Sequence, residues 1–250
     1  MKMRFQILTA VMAVWFFAGG AMAAGVSAEF DAADKLYAEG KFADAAAVYD
    51  KILQSGTTSP NLLFNYGNAE FKSGCLGRAI AAYRRAEQLA PRDADVRANL
   101  EFARNQVQGP SLSAGFWENW IGTLTLNEWT VLAATAFWLT FMLLAAMQIW
   151  PALRAVLPGF TRGVAVVTIL SGVCCGAAVS IDFSRQTAVV IAPDPVARSG
   201  PFADAQNAFT THDGTELAVL SRHGDWFQVA DGSGKTGWLE RGQVEIFSGI

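Results

Sequence analysis

The sequence predicts a multidomain membrane protein: α-helical hairpins, then two transmembrane helices, then a small all-β barrel. Three observations predict it. Small and aromatic residues recur at a 34-residue interval between residues 26 and 93. Two long runs, Trp129 to Trp150 and Gly163 to Ile181, carry no charged side chain. From Thr187 onward the pattern changes to short apolar segments of period two, separated by Gly- and Asp-containing turns.

Composition points the same way. Hydrophobic residues are 52% of the 250-residue chain and charged residues only 16%, which directs attention to membrane segments. The net charge of −3 and the lack of any Lys/Arg run leave nucleic-acid binding without its electrostatic footprint. Three cysteines and two histidines supply neither a disulfide framework nor metal-ligand spacing, and no cofactor is expected.

Residues 1–23, MKMRFQILTAVMAVWFFAGGAMA, have the three parts of an export signal. Lys2 and Arg4 form the basic region, Phe5 to Ala18 the apolar region, and Ala21-Met22-Ala23 the cleavage site. An uncleaved anchor helix is the other reading, and either one exports the helical segment after it.

The 34-residue interval relates Ala33 to Gly67, Gly40 to Gly74, Ala45 to Ala79 and Tyr49 to Tyr83. Small residues at such offsets let antiparallel helices approach closely, while the tyrosines and Ala86 fill the space against the next helix. Ser59-Pro60 reads as an N-cap and first helical position, Gly74 as a turn, and Asp93 as the cap of a further helix. That last helix, with Val96, Leu100 and Ala103 at helical spacing, reads as a capping element. The pattern resembles the tetratricopeptide repeat (TPR), with repeats over residues 26–59 and 60–93 and the cap reaching residue 107. Two repeats and a cap are marginal alone and call for something to dock against. The resemblance implies a concave groove lined by Phe30, Asp34, Tyr37, Phe64, Asn68, Phe71, Lys72, Asn99 and Phe102. Of these, Phe64, Asn68, Phe71, Lys72, Asn99 and Phe102 are the candidate partner-binding residues, although such aromatics can also pack internally. The lysines with which some such domains clamp a peptide carboxylate are replaced by Phe30 and Phe64, so the groove suits an apolar peptide segment.

Residues 108–128 form a linker in which Phe116, Trp117, Trp120, Ile121 and Leu124 share a helical stripe. This is either a short interfacial helix or a loop with buried aromatics. The first span, 129–150, is bounded by Trp at both ends, as suits the membrane interface. The second, 163–181, carries Gly172, Gly176, Ala177 and Ala178, small enough for close packing on the first. Between them, residues 151–162 hold Arg154 and Arg162 and no acid, whereas the outer flanks hold Glu118, Glu128 and Asp182. By the positive-inside rule that loop is cytoplasmic, so both flanking segments lie outside, in agreement with the export signal. Cys174 and Cys175 read as packing residues within the apolar run, and Cys75, with no His or second Cys beside it, as a structural thiol.

Residues 186–250 offer five strand candidates: AVVIA, ELAVLSR, WFQVA, TGWLE and VEIF. The Gly-Asp-Trp at 224–226 and the Gly-Trp-Leu at 237–239 resemble those of bacterial SH3-like (SH3b) domains. The resemblance implies a candidate ligand surface at Trp226 and Trp238, which can instead seal the barrel. His212 and His223 fall in loops without ligand partners, and Asp204 and Glu216 read as ordinary loop and strand-edge acids.

No nucleophile elbow, zinc-protease helix, Walker A loop or dinucleotide fingerprint occurs, and no carboxylate pair stands out, so no enzyme is expected. The order of export signal, repeats, two spans and barrel resembles the BatE-like TPR/SH3 membrane proteins of Bat-type aerotolerance operons. That resemblance implies partnership with other Bat-type membrane proteins, including anchored von Willebrand-type domains, in an envelope or stress complex. The expectation is therefore a cell-envelope scaffold in a bacterial inner membrane, two-pass, with both binding modules on the outer side. The alternative is a peptidoglycan receptor acting through the barrel.

Overall fold

The computed structural model describes residues 27–112, 115–184 and 186–248; the export signal read at residues 1–23 lies outside them. Five helices open the described chain: α1 (27–38), α2 (Phe42–Gln54), α3 (Pro60–Ser73), α4 (Leu76–Leu89) and α5 (Ala94–Arg104). Their ends follow local chemistry. Ser59 Oγ accepts from the Leu62 N–H at 3.2 Å with Pro60 at the first helical position, and Asp93 accepts from Asp95 and Val96 at 3.0 and 3.2 Å. Gly74, at φ 89°, ends α3 in the left-handed conformation that glycine adopts without strain.

Successive helices pack on one another around small residues. A Cβ on Gly67 would stand 2.6 Å from the Tyr83 ring, so only glycine lets α3 and α4 come this close. The same polar stitch occurs twice, with partners 34 residues apart. The Tyr49 hydroxyl bonds to Asp34, which also accepts from Asn65 at 3.2 Å. The Tyr83 hydroxyl bonds to Asn68 at 2.7 Å, which also accepts from Asn99 at 2.8 Å. Burial raises the pKa of both tyrosines, so each remains a neutral donor.

After a six-residue helix α6 (Phe116–Ile121) come α7 (Leu126–Ile149), the short α8 (Leu153–Val156) and α9 (Pro158–Ser184). Within α7 and α9, Leu126–Ile149 and Pro158–Ile181 are long and apolar enough to cross a membrane, with mean hydropathies of 1.9 and 2.3. Only 6% of each apolar window is buried within the protein, so neither is a core helix. They pack together as a hairpin. The contact stripe on α9 is Thr161, Thr168, Ser171 and Cys175, with Thr168 Oγ1 2.9 Å from Thr140 Oγ1 on α7. Gly172 and Gly176, expected at that contact, sit one residue further round the helix, where an added Cβ would meet nothing. Arg154 folds back so that its Nε donates to the Met147 carbonyl at 2.8 Å, tying off the end of α7. Arg162 belongs to α9, which starts at Pro158.

The C-terminal part is a seven-stranded antiparallel sheet: β1 (Gln186–Val190), β2 (Val196–Arg198), β3 (Asn207–Thr210), β4 (Glu216–His223), β5 (Trp226–Ala230), β6 (Thr236–Glu240) and β7 (Val244–Ser248). The strand order is β3-β2-β6-β5-β4-β1-β7. Two strands, β2 and β3, add to the five read from sequence; both are too short to display a periodic pattern. Ala188, Val190, Leu217, Phe227, Val229 and Leu239 form the core of the curled sheet.

The helices and the sheet are joined by an apolar contact. Alternate residues of β1 and β7, Val189 and Phe247, leave the sheet core and enter a cluster with Ala79, Ile80, Tyr83 and Leu100 of α4 and α5. β1 is thus covered on both faces, which explains why it reads as an unbroken apolar run. At Gly77 the backbone of α4 lies directly against the Val190 carbonyl and Asp213 carboxylate, leaving no room for a side chain. Cys75 provides no side-chain cap for α4. Instead, Asp213 accepts from the Leu76 and Gly77 N–H groups, and its burial raises its pKa against those bonds. Arg84, its side chain 9% exposed, donates to Glu216 at 3.1 Å and Thr187 at 2.7 Å and covers the Phe247 ring at 4.7 Å. Arg104 clasps the same carboxylate through two nitrogens at 3.0 and 2.9 Å. The docking that the helical segment needs is therefore supplied by the chain's own sheet. Glu216, read from sequence as an ordinary strand-edge acid, is the ionic centre of that joint.

The joint can be tested at two of its acids. Glu216→Ala leaves Arg84 buried without an anion and should destabilise the full chain by about 3 kcal/mol. In thermal unfolding in detergent, tryptophan fluorescence and helical circular dichroism should coincide in the parent and separate in the variant. Glu245, on β7 with Arg85 Nε at 2.6 Å, has its pKa raised by burial, and Arg85 offsets this only in part. A carboxyl raised in the folded state favours folding fully below its unfolded value of about 4.3, and that contribution is lost as pH rises through the folded value. Glu245→Gln should therefore flatten, though not abolish, the fall in melting temperature over that window, because Asp213 titrates in the same sense.

Candidate functional site

Two surfaces carry the residues singled out by sequence. The first is the face of the helical segment formed by α1, α3 and α5. Phe64 is partly buried against the core and tilts against Tyr83 with ring centres 6.0 Å apart. Asn68 accepts from both the Tyr83 hydroxyl and the Asn99 amide, so its oxygen is fully used. Phe71 lies 5.6 Å from Phe102 across α3 and α5, and Phe102 is 58% exposed. Lys72 is exposed at the end of α3. The structure thus brings Phe71, Lys72 and Phe102 together as an open rim and sets Phe64 beneath it.

The second surface is the outer face of the sheet. Its half over β1 and β7 is covered by α4, whereas its half over β5, β6 and β2 is open. Cross-strand register aligns Ser221, Gln228, Trp238 and Arg198 in one row over four strands, and Arg198 is opposite Asn207 on a fifth. Ser221 Oγ donates to Gln228 Oε1 at 2.9 Å. Trp226, facing Glu240, lies diagonally beside Trp238 on the same face, within the reach of aromatic side chains. Both tryptophans are half-buried, and neither belongs to the sheet core, which Phe227 and Leu239 fill from the opposite face. A shallow platform of two indoles flanked by an amide, a hydroxyl and a guanidinium can stack on a flat or apolar group and bond its polar edges.

Other candidates take structural positions. Burial raises the Cys75 thiol pKa, the opposite of what thiolate chemistry needs, and Glu70 acts in the same direction. His212 Nδ1 is 2.8 Å from Asp194 Oδ1 on the loop before β2. Among the described residues no three His, Cys, Asp or Glu side chains gather as a metal site would require. Glu216 and Asp213, which hold the two parts together, escaped sequence reading because each is defined by a partner more than a hundred residues away. The one available signal was Arg84, a charged residue on the otherwise apolar face of α4.

Residues 193–245 fit the family model of the bacterial SH3 domain, running from just before β2 to the first residues of β7 and including both tryptophans. Strand β1 and Phe247, which carry the apolar contact with the helices, fall outside it. No curated protein matches the chain. Residues 193–245 of this protein are thus a bacterial SH3 domain.

Proposed function

We propose that the protein is a membrane-anchored, non-enzymatic scaffold of the bacterial cell envelope that holds protein partners on its exported side. One observation carries the reading: the helical segment and the SH3 domain pack through a buried joint, although the apolar hairpin α7–α9 separates them in sequence. Two parts in contact must lie on one side of any membrane that the hairpin crosses. The basic residues of the α7–α9 turn favour the cytoplasm for that turn, and therefore the outside for both parts. In this reading the twice-used polar stitch reflects two tetratricopeptide-type repeats, whose open rim at Phe71, Lys72 and Phe102 receives an apolar peptide segment. The finer assignment, a Bat-type aerotolerance complex with other anchored proteins, is supported by the order of parts along the chain.

The tryptophan platform favours a second reading, a peptidoglycan receptor, because bacterial SH3 domains serve as protein- or cell-wall-binding modules. Two variants of the full chain separate the readings. Phe102→Ala with Lys72→Ala should reduce cross-linked partner in intact membranes at least fivefold, while Trp238→Ala leaves the capture unchanged. Undiminished capture by the rim variant would sink the scaffold reading. Co-sedimentation with purified cell-wall sacculi that Trp238→Ala abolishes would establish the receptor instead.

A further inference from the structure

A cleft of about 970 Å³ opens between the α4–α5 turn and the outer ends of α7 and α9. Its walls differ in chemistry. Toward α4 and α5 they carry four arginines, Arg84, Arg92, Arg97 and Arg104, against the acids Glu87, Asp93 and Glu128. Toward the apolar hairpin they are Ile121, Leu124, Leu126, Ala178 and Ile181. Two of the three acids are engaged, and the third, Glu87, acts through its charge on Arg84 at the α4 side of the cleft. Glu128 closes the capping box of α7 and pairs with Arg92, and Asp93 caps α5. Arg84 and Arg104 divide the single carboxylate of Glu216. Among the described residues Arg97 has no carboxylate partner; its Nε reaches only the Asp93 carbonyl, at 3.4 Å.

An apolar wall built from the ends of two membrane-length helices favours a ligand that carries acyl chains. A phospholipid fits, because its phosphate and acyl chains are joined at the depth where this cleft changes from cationic to apolar. A second observation fixes that depth. Helix α6, adjoining the cleft at Ile121, exposes Phe116 by 74%, Trp117 by 70% and Trp120 by 48%. It packs against α9, and its Ile121 carbonyl accepts from Trp129 Nε1 at 2.9 Å, so these rings lie level with the start of α7. Aromatic rings so placed prefer the headgroup boundary.

We propose that this cleft binds the headgroup of an anionic phospholipid, with Arg97 meeting the phosphate and the α6 aromatics seated in the surrounding interface. Guanidinium offers phosphate two parallel hydrogen bonds and is less tightly hydrated than ammonium, which suits a site half out of water. The proposal rests on the membrane reading of the α7–α9 hairpin.

The test reconstitutes the full chain in phosphatidylcholine vesicles containing spin-labelled phosphatidylglycerol or spin-labelled phosphatidylcholine. Electron paramagnetic resonance then gives the fraction of each label held at the protein surface. One unpaired arginine at the boundary should favour the anionic lipid about fivefold. Arg97→Ala should bring the ratio near one, whereas Arg222→Ala, near the end of β4 and outside the cleft lining, should preserve it. Equal loss in both variants, or a parent ratio of one, overturns the proposal. Competition by soluble glycerol phosphate would assign the cleft to a free phosphate and overturn it also. A protein washed off by alkaline buffer would remove the membrane reading as well, whereas an embedded protein without selectivity removes this proposal alone.

Discussion

The buried guanidinium of Arg84 is the constraint on which the rest of the architecture turns. It sits on α4 among alanines, where an unpaired charge would be strongly unfavourable, and the one acid of α4, Glu87, acts on it only through space, more weakly than Glu216. Its anion comes from β4, its hydroxyl partner from β1 and its aromatic neighbour from β7. Burial lowers its pKa, and Glu216 works against that shift. The Asp213 cap on the first turn of α4 and the bare backbone contact at Gly77 repeat the dependence at the other end of the helix. Helix α4 is thus finished by residues that the chain makes only after passing through α7 and α9.

This arrangement partitions each module into a used face and a free one. The helical segment commits α4 and the near side of α5 to the sheet, which leaves the α1–α3–α5 face open. The sheet commits β1 and β7 to the helices, which leaves the Trp226–Trp238 half open. Val107 and the linker beyond it extend the joint: Val107 packs against Gly214, and the Pro110 and Ser111 carbonyls lie against Gly232 of the β5–β6 turn. A ligand on either open face therefore meets a surface whose reverse side is rigidly backed, and the ordering entropy of binding falls mainly on the ligand.

Much of this was legible in the sequence where the determinant is local. Ser59, Gly74 and Asp93 act within four residues of themselves, and each does in the structure what its type and position require. The 34-residue interval also survived translation, since the tyrosine hydroxyls and asparagine amides that repeat in sequence repeat as hydrogen bonds. Non-local determinants were not legible. Nothing near Glu216 or Asp213 marks them as partners of α4. Strands β2 and β3 show no alternation because three or four residues cannot display one. The glycines of α9 failed for a different reason. Small residues mark a helix face that permits close approach, but the 100° step between neighbours decides whether that face meets a partner, and here Thr168, Ser171 and Cys175 took it.

A joint between parts that flank an apolar hairpin also restricts the hairpin. Its two helices must return the chain to the level from which it left, so their lengths have to match. The 24 residues of α7 rise about 36 Å, enough for a hydrocarbon core of about 30 Å, and the stretch Pro158–Ile181 of α9 is again 24 residues long. A single span would set the helices and the sheet on opposite sides of a membrane, leaving Arg84 without Glu216 and α4 without its cap. Two apolar helices of equal length, tied by Arg154 at the turn and by Glu128 and Arg92 at the open end, would satisfy both a lipid core and the joint. The hairpin is thereby held in the register that the Arg84–Glu216 contact demands, and the hairpin, the helical segment and the sheet fold as one problem, not three.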